Sequence, residues 1–278
     1  MKITFEIYYH TRWGESLFLS GNIDELGANE ENRAVMMDYQ GDGLWKYTME
    51  LPASAKKFHY EYLVKSGEGI RREWGSPHSF SPGRNDGEYR LVDRWRDVPA
   101  DMPFYSSAFI QGIFFRQHAD SVVETIEPGT LTVKVDASQL RPDERLVMVG
   151  DCPELGDWDV LKAPLLNDSA FPEWQITLDG KHLKFPFEYK FVIVRTHQRE
   201  VVAWETGENR ICREKPQNPS EAVVVSGLSP YGLWVRHRGV YRFEIFGRLG
   251  VKNRTVVYTV TPGERYDDVG YMARFLSL

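Results

Sequence analysis

The chain has 278 residues, too many for one small sandwich and enough for two domains of about a hundred residues each with a remainder. Its 42% hydrophobic and 27% charged residues are ordinary for a globular protein. A net charge of −6 argues against a nucleic-acid partner, which would call for a basic patch.

Residues 1–92 read as strands and turns. Ile3, Phe5 and Ile7 alternate with polar residues, the period of a half-buried strand. The opening Met1-Lys2-Ile3-Thr4-Phe5-Glu6 is therefore expected to be a strand and not a signal peptide. Leu17-Phe18-Leu19-Ser20-Gly21 is a second strand, and Gly41-Asp42-Gly43 turns the chain into the alternating Leu44-Trp45-Lys46-Tyr47-Thr48-Met49. Phe58-His59-Tyr60-Glu61-Tyr62 and Glu88-Tyr89-Arg90-Leu91-Val92 follow, with no useful helical period. The order then recurs: Gly21, Gly27 and Trp45 return as Gly150, Gly156 and Trp174 at one constant spacing. The segment 58–62 pairs with 185–189, and Trp74 with Trp204, at spacings that drift by a few residues. Two copies of one domain are expected, at 1–92 and 130–228, with a connector at 93–129 and a tail at 229–278. The turn-like 98–103, Glu127-Pro128-Gly129 and the apolar 107–115, expected to pack against a module, lie in the connector. In the tail, 241–245 and 254–260 read locally as strands of unassigned role. The fold class is all-β: two antiparallel immunoglobulin-like β-sandwiches in tandem.

The informative stretch is 150–210. It runs Gly150-Asp151-Cys152-Pro153-Glu154-Leu155-Gly156-Asp157-Trp158, then Phe187-Glu188-Tyr189-Lys190-Phe191, then Ala203-Trp204-Glu205 and Glu208-Asn209-Arg210. Two indoles and a lysine brought together by strands suit a flat, hydroxyl-rich ligand: an indole covers the C–H face of a pyranose, and Lys, Glu and Asn take the hydroxyls. Trp174, within the alternation Trp174, Ile176, Leu178, reads as core, whereas Trp158, between Asp157 and Asp159, reads as a loop residue.

These three blocks, in this order, resemble the family-20 carbohydrate-binding module, the starch-binding domain. The resemblance implies that Trp158 and Trp204 are the stacking platform of a first sugar site, with Lys190, Glu205 and Asn209 as its hydrogen-bonding partners. In the first copy, Ala28-Asn29 stands where the second has Asp157-Trp158, Leu63 is aligned with Lys190, and Trp74 is left as a remnant of the platform. The first copy instead carries Thr11-Arg12-Trp13-Gly14-Glu15-Ser16 and Asp38-Tyr39-Gln40-Gly41, which resemble the loops of the family's second sugar site through Trp13 and Tyr39. The matching loops of the second copy, 141–144 and 168–171, lack that aromatic pair. The expected result is a division of labour. The first module binds through Trp13 and Tyr39 and the second through Trp158 and Trp204, with avidity on a long polymer.

The seven histidines are scattered without metal-type spacing, and no phosphate loop, nucleophile elbow or facing carboxylate pair stands out. The expectation is non-catalytic binding of α-1,4-glucans (starch, glycogen or maltodextrin), with no cofactor, metal or catalytic residue, and no nucleic-acid or membrane partner. Two such modules in tandem resemble the front of disproportionating-type 4-α-glucanotransferases, which continue into a (β/α)₈ catalytic barrel of glycoside hydrolase family 77. The chain would then be the substrate-holding part of such an enzyme, beside a catalytic barrel or partner enzyme. A chain that performs the glycosyl transfer itself, or a sandwich pair that docks a partner protein, are the alternative readings. No run approaches the roughly twenty apolar residues of a membrane span. Cys152 and Cys212 read as free thiols of a reducing compartment, so the expected location is cytoplasmic.

Overall fold

The computed structural model describes residues 1–52, 57–83, 87–98, 105–106, 110, 116 and 124–230. The expected strands of the tail lie outside the described residues. So does most of the connector, including its turn at 99–103. Within the apolar stretch 107–115 the structure describes Ile110, which is fully buried in the core of the second copy.

The first copy folds as β1 (Lys2–Tyr8), β2 (Ser16–Gly21), β3 (Val35–Met36), β4 (Asp38–Gly41), β5 (Leu44–Glu50), β6 (Phe58–Ser66), β7 (Gly69–Arg72), β8 (His78–Phe80) and β9 (Glu88–Arg94). The second folds as β10 (Thr130–Asp136), β11 (Glu144–Gly150), β12 (Asn167–Ala170), β13 (Glu173–Asp179), β14 (Phe187–Arg195), β15 (Val201–Trp204), β16 (Arg210–Cys212) and β17 (Glu221–Leu228). The period-2 pattern does what it predicts: Ile3, Phe5 and Ile7 of β1 are fully buried, and Trp174, Ile176 and Leu178 of β13 line the second core. The fold is all-β, and no helix among the described residues is long and apolar enough to cross a membrane.

The two copies share a sheet. Eight strands run in the order β12-β13-β10-β17-β9-β1-β5-β4, and two smaller sheets, built on β11-β14-β15 with β16 and on β3-β2-β6-β7 with β8, complete the sandwiches. Most pairings are antiparallel, but the first and last strands of each copy lie side by side and parallel, β1 with β9 and β10 with β17. The same kind of pairing joins the copies: β9 and β17 run parallel, with Glu88 opposite Glu221 and Val92 opposite Val225.

The faces of these two central strands are divided between two cores. Tyr89 and Leu91 of β9, with Ala222 and Val224 of β17, belong to the core of the first copy. Val92, with Val223 and Val225, belongs to the core of the second. Successive residues of a strand point to opposite faces, so the small sheets pack on opposite faces of the shared one. This explains why Ala222-Val223-Val224-Val225 is an unbroken apolar run: a strand buried on both sides has no solvent face to alternate with.

Polar groups knit the seam. Arg90 pairs with Glu221 at 3.2 Å and donates to the Lys215 carbonyl at 2.6 Å. Lys134 reaches across to the Ser79 carbonyl at 3.1 Å. Behind the seam, the fully buried Asp93 accepts from the hydroxyls of Tyr60 at 2.9 Å, Tyr62 at 2.6 Å and Ser226 of the second copy.

The strand registers correct two of the repeat pairings. Gly21 lies opposite Tyr60, and Gly150 opposite Tyr189, so 58–62 superposes on 187–191 and not on 185–189. The counterpart of Lys190 is therefore Glu61, not Leu63. Leu63 lies opposite Arg72, and Val192 opposite Trp204, so the counterpart of Trp204 is Arg72. Trp74 stands two residues further on and is not a remnant of the platform; its ring packs edge-on against Tyr105 at 5.0 Å. The sequence pairing went astray because aromatic likeness was matched where backbone register, which fixes the position, was not visible.

Candidate functional site

The loop after β11 is built from an unusual backbone. Gly156, Asp157 and Trp158 have φ of 82°, 50° and 64°, three successive left-handed residues. Backbone bonds hold them there, from Asp157 N–H to the Cys152 carbonyl at 3.1 Å and from Trp158 N–H to the Gly150 carbonyl at 2.7 Å. Gly150 is obligatory at this corner, since a Cβ would meet the Glu188 carbonyl oxygen at 2.4 Å. The first copy repeats the loop angle for angle: Gly27, Ala28 and Asn29 at 84°, 52° and 64°. Asparagine visits this region at little cost, whereas a bulky tryptophan is a steric outlier in it. The second copy thus holds an indole at a backbone position that disfavours one.

Trp158 rests, half-buried, on a satellite cluster of Val147, Val149, Val160, Ala163, Val192 and Val194 on the outer face of β11 and β14. Trp204, 42% exposed, lies on β15 opposite Val192, one of those same valines. Lys190 lies opposite Val149 on the same outer face. Its ammonium donates to the Glu205 carbonyl at 3.3 Å and to the Gly207 carbonyl, which pins it to the turn after β15. Asn209, exposed on that turn, donates through its amide to Glu188 at 2.7 Å. Trp158, Trp204, Lys190 and Asn209 therefore surround one side of one small sheet.

Glu205 is placed differently from the sequence expectation. Its carboxylate is completely buried, accepts from the Phe191 backbone N–H at 3.1 Å and forms a forked pair with Arg210 at 2.6 and 3.1 Å. The first copy has the same device: Glu73 accepts from the Tyr62 N–H at 3.1 Å, with His78 and Arg96 as its side-chain partners. In both copies, with or without an aromatic platform, a buried glutamate accepts from a backbone N–H in the middle of the long strand and lies beneath the surface. Arg210 closes the sequence motif without a role of its own; the signal for one is an acid and a base five residues apart, bracketing the turn that carries Asn209.

In the first copy the corresponding surface is closed by charge. Glu61, at the position of Lys190, and Glu31 both pair with Arg72, which stands where Trp204 does. The aromatic residues of that copy sit at another end. The turn carrying Trp13 is held by Arg12 N–H donating to the Glu15 carboxylate at 2.9 Å and Glu15 N–H donating to the Arg12 carbonyl at 3.0 Å. Trp13 is fully exposed at its tip. Tyr39, 57% exposed, lies 5.0 Å from the Trp45 ring, and the Trp45 indole N–H donates to the Tyr9 carbonyl at 3.0 Å. Trp13 is thus carried by the turn between β1 and β2, and Tyr39 by β4, the edge strand of the shared sheet. A shallow pocket of 330 Å³ lined by Asn22, Ile23, Asp24, Glu25, Leu51, Pro52 and Lys57 holds none of these residues; the candidate sites are exposed surfaces. Among the described residues no group of His, Cys, Asp and Glu is arranged to hold a metal ion. Cys152 and Cys212 are free and buried, and burial pushes their thiols up to about 11 and about 12.

Comparison of the sequence with known proteins gives the family. The family model described as "Starch binding domain" matches residues 1–83 and 130–224. The chain is 25% identical over 226 residues to the 4-alpha-glucanotransferase DPE2 of Oryza sativa subsp. japonica, across 75% of this chain and 23% of that protein. It is 34% identical over 71 residues to the AA13 family lytic polysaccharide monooxygenase A of Aspergillus terreus, across 24% of this chain and 18% of that protein. The chain thus spans less than a quarter of the length of either curated relative. Among solved structures, the family 20 module of a maltotetraose-forming amylase from Pseudomonas saccharophila aligns at 20% identity and a TM-score of 0.29, over 34% of this chain and 98% of that one. With one family model covering both copies, the chain belongs to the starch-binding domain family.

Proposed function

We propose that the chain binds α-1,4-glucans without transforming them, through two unlike sites. In the second copy, Trp158 and Trp204 form the stacking platform, and Lys190 and Asn209 meet the sugar hydroxyls from the turn after β15. Glu205 acts through Arg210 to hold that turn and makes no contact of its own. In the first copy, Trp13 takes the polymer from the turn between β1 and β2, and Tyr39 from the edge strand β4. Trp74 packs against Tyr105 and is structural. The observation that carries this reading is Trp158: one loop backbone occurs twice, filled by Asn29 where the surrounding surface is ionic and by an indole where it is aromatic. Holding a tryptophan in a left-handed conformation is a local cost that a binding role accounts for.

The 25% identity to a 4-alpha-glucanotransferase over 75% of the chain supports a further step. The two copies, 1–92 and 130–228, are substrate-holding modules joined by the 93–129 connector, and they work in front of a catalytic barrel in the cytoplasm. The two buried, unpaired thiols support that compartment.

The test is co-sedimentation with insoluble starch, beside a Trp158→Asn/Trp204→Ala variant. Trp158→Asn imports the first copy's own residue, so the loop backbone is retained. Losing two stacking rings, each worth about 1.5–3 kcal/mol of buried apolar surface, should weaken retention roughly a hundredfold or more. Equal retention of a folded variant would remove the second-copy site, and a parent that stays in solution would remove the glucan reading.

A further inference from the structure

The second copy also has the framework of the Trp13–Tyr39 site. Its turn at 141–144 repeats that of 12–15 bond for bond: Arg141 N–H donates to the Glu144 carboxylate at 3.0 Å, and Glu144 N–H donates to the Arg141 carbonyl at 3.0 Å. Trp174 lies opposite Val135 as Trp45 lies opposite Ile7, and its indole donates to the Ala137 carbonyl at 2.8 Å as that of Trp45 does to Tyr9. Asn167 lies opposite Gln175 as Asp38 lies opposite Lys46, so Asp168 follows at the position of Tyr39. Pro142 stands at the position of Trp13.

A residue from outside the copy fills the space. Arg116, from the connector, is nearly buried there. Its guanidinium lies 4.9 Å from the Trp174 ring, close to the 5.0 Å at which Tyr39 sits on Trp45, and 4.6 Å from the ring of Phe171. Its donors reach the Arg141 carbonyl at 2.9 and 3.3 Å, the Glu144 carbonyl at 2.9 Å and the Asp168 carboxylate at 2.9 Å. A planar group that stacks on an aromatic ring while its edge hydrogen-bonds to backbone carbonyls makes the kinds of contact that a glucose unit would make. Arg116 is held in turn by its own N–H, which donates to the carbonyl of the fully buried Ile110 at 3.0 Å.

We propose that Arg116 is a built-in occupant of the second-type site of the second copy and the residue that denies it to sugar. The tandem then has two unlike glucan sites rather than a repeated pair. This rests on the glucan-binding reading above and adds to it which positions can bind.

Hydrogen exchange with maltoheptaose as the probe tests it. In the unaltered chain, saturating maltoheptaose should slow exchange at residues 11–16 and 38–41 and around Trp158 and Trp204, and leave residues 141–144 and 168–171 unchanged. In Arg116→Ala, residues 141–144 and 168–171 should exchange at least tenfold faster without sugar, and maltoheptaose should slow them again. Slowing at 168–171 in the unaltered chain overturns the proposal and needs no variant to be seen. So does a folded Arg116→Ala in which those residues exchange as before, or in which sugar has no effect on them. If Arg116→Ala does not fold, Arg116→Lys keeps the charge beside Asp168, loses the forked contact to the two carbonyls, and should give the same faster exchange. If maltoheptaose slows nothing anywhere, it is the glucan reading that falls.

Discussion

At the scale of single residues, Glu205 separates what supports the site from what touches a ligand. It is a polar residue beside an aromatic one in a sugar-binding motif, and by sequence it reads as a contact. The buried forked pair with Arg210 gives it a different role, tying β15 to β16 so that the turn bearing Asn209 and receiving Lys190 has one conformation. Removing one member of a buried charge pair leaves the other uncompensated, at a cost of about 3 kcal/mol or more. Glu205→Gln should therefore lower the stability of the second copy by roughly that amount, with weaker glucan binding following from the disordered turn. Glu73→Gln should cost a similar amount in the first copy, where there is no platform to lose. Denaturant unfolding of both variants checks this. If Glu205→Gln kept full stability and lost only sugar affinity, Glu205 would be a contact after all.

At the scale of elements, β17 matters most. It is the last strand of the second copy, yet Ala222 and Val224 fill the core of the first. Val224→Ala should open a cavity there at a cost of roughly 2 kcal/mol. The backbone amides of β1 and β6, more than a hundred residues away in sequence, should exchange faster than those of β14. Faster exchange confined to the second copy would contradict the shared sheet. Three strands, β1, β5 and β13, were legible from alternation, because they show buried and exposed residues in turn along part of their length. The sequence motif named Trp158, Trp204, Lys190 and Asn209, and the fold brings all four to one side of one small sheet. The counterparts of Lys190 and Trp204 in the first copy are not legible in the sequence, because Glu61 and Arg72 look nothing like the residues they replace and only register identifies them.

At the scale of the whole molecule, the parallel β9–β17 pairing joins the two copies in one sheet, and the cores cross it, so the two are expected to unfold together. A cluster of ionisable groups sits behind the seam. His78 faces Glu73 at 3.1 Å, Asp93 at 3.9 Å, the Ser226 hydroxyl of the second copy at 3.1 Å and the stacked Tyr60 ring at 5.0 Å. Arg96 donates to the same Glu73 carboxylate at 3.0 Å, and Asp136, with Lys134 and Glu173, approaches from the second copy. Burial alone would lower the pKa of His78, but Glu73 and Asp93 outweigh it and raise the value above the ordinary one. Burial, with Glu173 adding to it, pushes Asp136 up to about 6. Both groups favour their protonated forms in the folded state, so their contribution is complete below their unfolded values and is lost as pH rises through the folded ones. Glu73 has the opposite sign: burial opposes its ionisation, yet His78 and Arg96 hold it down to about 2, so its contribution is lost only as pH falls from about 4 toward 2. Calorimetry should show one unfolding transition for both copies, with a melting temperature that falls as pH rises above 6.5, the ordinary histidine value. His78→Gln should flatten that slope. Two separate transitions, or a slope unchanged by His78→Gln, would contradict the single unit or the role of His78.

The sequence by itself determined the all-β class, the internal repeat and the aromatic motif of the second copy. Each of these is written in local pattern: side-chain alternation, glycines at fixed corners, and residue types that suit one kind of ligand. Tertiary structure decided how the copies are joined, which faces are open and what fills them. The unbroken Ala222-Val223-Val224-Val225 could have been any buried strand until its two faces were seen in two cores. Arg116 carried no local signal at all, because a guanidinium acquires its role from the carbonyls, carboxylate and rings that the fold brings around it, and those lie between 25 and 58 residues away along the chain.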